Sequence, residues 1–96
     1  MNSPYFIVHA VQLVDDVAFV DGRLGEGTMK VGHVFRRSYS ELDSWRSRED
    51  GQPCDLVLHE IEAYQHKLDE LSAGMTARLF ISGSHLALVT PLSILE

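Results

Sequence analysis

The sequence predicts an all-β domain, and two observations carry that prediction. From Tyr5 to Val14 apolar side chains occupy both sides of an alternating pattern, Phe6, Val8, Ala10 and Val14 on one and Ile7, Val11 and Leu13 on the other, as in a strand within a closed or covered sheet. The stretch Val20-Asp21-Gly22-Arg23-Leu24-Gly25-Glu26-Gly27-Thr28-Met29-Lys30-Val31-Gly32-His33 then reads as strand, glycine-punctuated turn and strand.

Each element follows in order. Asp15-Asp16 breaks the first strand, and Val17-Ala18-Phe19-Val20 resumes with residues that favour a pleated surface, which predicts a hairpin. Gly22, Gly25, Gly27 and Gly32 mark turns or bulges. Met29, Val31 and Val34-Phe35 supply the next strand, with the preceding strand as its expected partner. Residues 36–55 hold few large apolar groups, Tyr39, Leu42 and Trp45, among serines and charges, and are expected to form a long polar loop; Ser40 and Asp43 have capping-box spacing for one helical turn over Leu42 to Arg46. Leu56-Val57-Leu58 begins another strand. Beyond it Ile61, Tyr64, Leu68 and Leu71 recur at helical spacing, and periodicity alone predicts a helix over 59–72 that ends near Gly74. Thr76 to Ile81 returns to strand character, Ser82-Gly83-Ser84 reads as a turn and His85 to Val89 as a final strand, and Pro91 forces an edge or exit before Leu92-Ser93-Ile94-Leu95.

Composition bounds the function. A chain of 96 residues is read as one domain, 1–96, able to bury very roughly 60–65% of the surface its unfolded form exposes. The longest apolar runs fall far short of the ~20 residues that span a bilayer, and Met1-Asn2-Ser3-Pro4 does not begin a secretion signal, so no membrane partner and a cytoplasmic location are expected. The lone Cys54, between Pro53 and Asp55, excludes an internal disulfide framework and reads as a loop thiol. Eight Lys and Arg stand against 14 Asp and Glu, a formal charge of −6 that repels phosphate backbones unless the cations gather on one face. Arg36, Arg37, Arg46 and Arg48 do lie close in sequence, but Glu41, Asp43, Glu49, Asp50 and Asp55 share their stretch.

A family resemblance joins these pieces. The Gly22 to Gly32 segment, together with Phe6-Ile7-Val8, Ile61-Glu62-Ala63-Tyr64, the run Asp69-Glu70-Leu71-Ser72-Ala73-Gly74 and an apolar strand ending at Gly83, resembles the second-domain β-barrel of translation GTPases, the elongation factor Tu group, over about 80 residues in order. The 96 residues leave no length for a GTPase beside it. The resemblance implies a small closed barrel of six or seven antiparallel strands, and it replaces the helix over 59–72 with strand and turn. It implies a bend at Gly22, a hairpin turn at Gly27, a kink at Gly32, Ala73 inside with Gly74 at positive φ, and Gly83 closing the late strand. The chain departs from the family pattern at His33, where aspartate is common, at Ala10-Val11-Gln12, where elongation factors carry an acidic pair, and at Ser72, often basic. The family's aminoacyl-tRNA contacts are therefore not carried over.

Motifs for chemistry fail on inspection. Gly22 to Gly27 has phosphate-loop spacing but continues Thr28-Met29 without the lysine, and Lys30 stands where a dinucleotide fingerprint needs glycine. His59-Glu60 begins like a zinc protease motif, yet Ala63 occupies the second histidine's place. His9, His33 and His85 read as half-buried or loop residues. Ser82-Gly83-Ser84-His85 places hydroxyls beside an imidazole, but neighbours in a strand point to opposite faces. Glu60 and Glu62 share a strand face and read as solvated outer positions. No catalytic residue, metal or cofactor is expected.

The expected function is a non-enzymatic binding module, a protein interaction or adaptor domain. The alternatives are an RNA-binding accessory of translation, if Arg23, Lys30, Arg36, Arg37 and Arg78 converge, and a small enzyme, which would need a pocket with perturbed titratable groups. Tyr39, Leu42, Trp45 and Arg46 are the candidate partner-binding residues. Trp45 reads either as a lid folded back on the barrel or as an anchor for a partner. A short last strand after Pro91 can close a monomer or pair across a dimer.

Overall fold

A computed structural model describes residues 4–49 and 51–96. The start of the N-terminal tetrapeptide read against a secretion signal, Met1-Asn2-Ser3, and Asp50 of the charged stretch lie outside the described residues. The strands are β1 (Tyr5–Val14), β2 (Val17–Glu26), β3 (Thr28–Lys30), β4 (Val34–Tyr39), β5 (Gln52–Ala63), β6 (His66–Leu68), β7 (Glu70–Ser72), β8 (Thr76–Ser84) and β9 (Ile94–Leu95); a short helix α1 (Leu42–Ser47) separates β4 from β5. Six strands close into an antiparallel barrel in the order β1-β2-β8-β5-β4-β9 and back to β1, while β6 adds to the far end of β5. β3 and β7 form a separate two-stranded ribbon.

Alternation fills the barrel. Phe6 and Val8 of β1, Ala18, Val20 and Leu24 of β2, and Ala77, Leu79 and Ile81 of β8 point inward and are buried. On β5 the inward set switches from Leu56 and Leu58 to Ile61 and Ala63, because a bulge at His59 inserts one residue between the pairs Leu58–Ile81 and Glu60–Phe80. The helical spacing arises past the bulge: Ile61 of β5, Leu68 of β6 and Leu71 of β7 reach the core from three successive strands, while Tyr64 stands exposed at the turn between the first two. The strand then reverses at Tyr64 and Gln65, both at positive φ (53° and 65°), as a two-residue hairpin turn requires. There is no helix over 59–72; β5, β6 and β7 occupy it, as the family resemblance implies.

Several other expectations are corrected. β3 pairs with β7, placing Met29 against Leu71 in the core, rather than with β2, whose edges are already taken by β1 and β8. Gly27 (φ 75°) thus joins two strands of different sheets and makes no hairpin, and Gly32 (φ 96°) lies in the turn that separates β3 from β4. The long loop over 36–55 is shorter than expected: Arg36 to Tyr39 continue β4, Gln52 starts β5, and α1 sits between. Its N-cap is Glu41, with no side-chain cap, so Ser40 falls one residue too early to close a capping box, and its hydroxyl meets that of Ser44 at 3.2 Å. Cys54 is not a loop thiol; it is 7% exposed within β5, its Sγ 3.5 Å from the Phe35 carbonyl oxygen. Burial, with Asp55 adding to it, raises its pKa and keeps the thiol protonated.

Ala73 lies at the surface, not inside, and Gly74 beside it has φ 86° with open space around it. Ser82-Gly83-Ser84 continues β8 instead of turning, and Leu86–Leu88 forms a 3₁₀ turn whose Leu86 and Leu88 pack on the core. The last strand is β9, which pairs within the chain to both β1 and β4 and closes the barrel. At two glycines the backbone passes so close that no side chain fits. A Cβ on Gly22 would fall 2.0 Å from the Ile7 carbonyl oxygen, and one on Gly83, at φ 136°, would fall 2.1 Å from that of Asp55.

Candidate docking face

Between β4 and β5 the chain crosses the outside of the barrel, and α1 forms on the way. A helix of six residues does not sustain itself, so its position is set by what it touches. Trp45 lays its ring on Tyr5, centroids 4.0 Å apart and tilted by 34°. Tyr5 in turn covers Gly25, where a Cβ would meet its ring at 2.1 Å. Trp45 Nε1 donates to Glu96 Oε2 at 3.0 Å, and Arg48 Nη1 donates to the same oxygen at 2.8 Å while its guanidinium lies 4.8 Å from the Trp45 ring centre. Partial burial works against the charge on Glu96, but the hydrogen bonds from Arg48 and Trp45 outweigh it and hold the carboxyl below its ordinary value.

These contacts sort the candidate residues. Tyr39 is 4% exposed, packed at Gly51 beneath Arg48, and offers no surface to a partner. Trp45 is half-buried and directs its ring at Tyr5, folding back onto the barrel. Arg46 is exposed and loosely paired with Asp43 at 3.8 Å, a contact of little energetic weight in water. Leu42 is half-buried and lines a groove of about 450 Å³ beside α1, together with Ile7 and Leu92. His9, Arg23, Glu41 and Asp43 supply its polar lining.

Leu92 is the residue that sequence reasoning missed. Thr90-Pro91-Leu92-Ser93 is a tight turn in which Ser93 N–H donates to Thr90 O at 3.0 Å and the Ser93 hydroxyl accepts from Thr90 N–H. Pro91 occupies the second position and Leu92 the third at φ 77°, where a type II turn calls for glycine. A branched aliphatic side chain there costs about 1–2 kcal/mol of backbone strain. It is also 67% exposed, so burial recovers little of that cost. Pro91 was the one available signal, and it marked an edge or exit of the strand without marking strain.

A second cleft, of about 320 Å³, is lined by His33, Val34, Arg36 and Arg37 with Pro4 and Glu96. His33 packs edge-on against Phe35, centroids 4.8 Å apart, and its Nε2 is buried with no hydrogen-bond partner among the described residues. Burial lowers its pKa from 6.5. The unfolded chain therefore takes up a proton below pH 6.5 that the folded chain resists, so stability is at its full value above that pH and falls as pH drops toward the depressed folded value. Urea midpoints at pH 7.0 and 5.5 test this: the acid loss is expected to be smaller in His33→Phe than in the wild type, and an equal loss would refute it.

Elsewhere the chemistry is sparse. Ser82 hydrogen-bonds His59 across β5 and β8, not its sequence neighbour His85, and both groups are exposed on the outer wall. Glu60 pairs with Lys67 at 3.4 Å. Of the eight cations, Arg36, Arg46, Arg48, Lys67 and Arg78 each face a carboxylate, the last as a two-pronged pair with Asp21 at 2.7 and 3.2 Å. Of the cations named for an RNA surface, Arg36 and Arg37 line the His33 cleft, Arg23 lines the groove and stands on β2 beside the β8 strand of Arg78, and Lys30 sits on β3.

No protein-family model and no curated protein matches the sequence. Among solved structures the chain is similar to the translation elongation factor SelB from Methanococcus maripaludis in its apo form, with a TM-score of 0.75 and 15% identity over 98% of this chain. The match covers 18% of that protein, so the likeness is to one portion of it. The fold is thus the closed translation-factor barrel of the elongation factor Tu second-domain type.

Proposed function

We propose that this translation-factor barrel is a single non-enzymatic domain that binds another protein in the groove beside α1. Leu42 and Leu92 supply the apolar contacts and Arg46 a charged edge; Trp45 holds the helix in place. Leu92 carries the reading, because an exposed leucine kept in a strained turn gains little within its own chain, and such strain is retained where an outside contact uses it. The net charge of −6 and the pairing of five cations with carboxylates favour a protein over RNA. Likeness to an elongation factor supports a role in translation, and the buried, protonated Cys54 suits the reducing cytoplasm.

Affinity capture from native lysate, with and without ribonuclease, tests the reading against Leu92→Gly. Glycine relieves the turn, so folding stability is expected to stay level or rise by up to ~1 kcal/mol while the captured protein is lost. Failure of the wild type to hold any stoichiometric protein would sink the proposal, and a partner lost on ribonuclease treatment would transfer it to RNA.

A further inference from the structure

β1 meets β9 only at Phe6 and Ile7, and the last backbone bonds on that side join Val8 to Leu92 and Ser93. Beyond Val8 a bulge shifts the register against β2, from Val8–Gly22 to Ala10–Asp21, and the strand runs on to Val14 with β2 on one side alone. Among the described residues, no backbone group of another strand bonds the other edge of His9 to Val14. The Val14–Val17 pair closes a two-residue turn and is therefore hydrogen-bonded to β2. By alternation Gln12 also turns toward β2, so Val11 and Leu13 direct their N–H and C=O groups outward.

Folded proteins blunt such edges with lysine, proline or very short strands. Ala10-Val11-Gln12-Leu13-Val14 has no charge and no proline, and Leu13 and Val14 are 55% and 44% exposed. We propose that this edge pairs antiparallel with the same edge of a second copy of this chain, about a twofold axis at Gln12. The self-complementarity of the segment selects that occupant. In this register Val11 exchanges backbone bonds with Leu13 of the second copy, and Ala10 lies opposite the second Val14. The imidazole of His9 faces the carboxylate of Asp15 in the other chain, at both ends of the ribbon. Parallel pairing would instead stack Asp15 and Asp16 on their own copies, setting like charges side by side. The paired faces join the exposed Leu13 to Val11, which already packs on the core, in one apolar strip across the two chains. The edge stands apart from the α1 groove except at His9, so its test does not depend on a partner binding there.

Two Gln12 residues would face each other as a non-hydrogen-bonded pair, with Cα atoms about 4.5 Å apart, close enough for a disulfide. Under mild oxidation Gln12→Cys is expected to form a covalent dimer about tenfold or more faster than Tyr64→Cys, a control 79% exposed on the β5–β6 turn, because paired thiols react at raised effective concentration. Wild type, whose one thiol is buried, is expected not to link. His9→Asp introduced beside Gln12→Cys should slow the link by setting carboxylates against Asp15. Equal rates at Gln12→Cys and Tyr64→Cys, or faster linking at Asp16→Cys, would overturn the proposal. Circular dichroism of Gln12→Cys, an exposed substitution, confirms that the rates are read on the folded barrel.

Discussion

Gly83→Ala is expected to lower the unfolding free energy by about 3 kcal/mol or more, the sum of a strained φ and an overpacked contact. The residue lies at φ 136°, where a side chain is strained whatever space surrounds it. Space is also missing, since a Cβ would fall 2.1 Å from the Asp55 carbonyl oxygen and 3.1 Å from Leu56 Cα. Both neighbours are main chain of β5, so relief requires β5 and β8 to separate at one of the six joints of the barrel wall. Gly74→Ala separates the two causes: its φ is 86° but nothing lies within 4 Å, so only the conformational cost, about 1 kcal/mol, is expected. Urea unfolding of the two variants checks this, and equal losses would show that the close approach to β5 is not the dominant cause.

Phe6→Ala is expected to cost about 3–5 kcal/mol, a large share of the roughly 5–15 kcal/mol that holds a domain folded. Phe6 is fully buried, and its ring occupies the space above Gly22, where a Cβ would meet Cε2 at 2.7 Å. Glycine at 22 and phenylalanine at 6 are thus a complementary pair across β1 and β2. Shrinking the ring does not free position 22, because the Ile7 carbonyl oxygen at 2.0 Å still blocks it. Gly22→Ala in the Phe6→Ala background is therefore expected to lose further stability. Rescue of one by the other would show that the ring, not the backbone, closes the site.

The elements that were legible in the sequence are those whose periodicity matched their environment. β2 and β8 alternate cleanly, and their inward residues form the core; β1 does so only as far as Val8, where a bulge shifts its register and leaves Ala10 to Val14 mostly exposed instead of covered. The stretch from Ile61 to Leu71 was not legible from periodicity because its inward residues, Ile61, Leu68 and Leu71, come from three different strands, and the reversal between them spaces them like one face of a helix. The turn at Tyr64 and Gln65 hid for a related reason, since it takes positive φ without the asparagine or glycine that signals it. The ordered family pattern recovered both, because it depends on the succession of segments and not on one period. The pairing of β3 with β7 was invisible locally, because it joins segments some 40 residues apart.

The candidate site was half legible. The sparse apolar residues Tyr39, Leu42 and Trp45 marked α1 and its surroundings, but which of them face outward depends on tertiary contacts: Tyr39 sinks under Arg48, and Trp45 turns to Tyr5. Leu92 carried no signal beyond the proline before it, since strain belongs to φ and not to residue identity.

β9 is only two residues long, and through it the first strand meets the fourth. The wall is thus a wide band fastened by a narrow clasp, with Phe6 set against Leu95 from the opposite end of the chain. A clasp of this kind can close only after the rest of the band has curled, because the loop it completes spans almost the whole chain. Short as it is, the clasp is anchored from both sides: Ile94 and Leu95 are fully buried, and Glu96 beyond them is tied to β4 through its backbone and to α1 through Trp45.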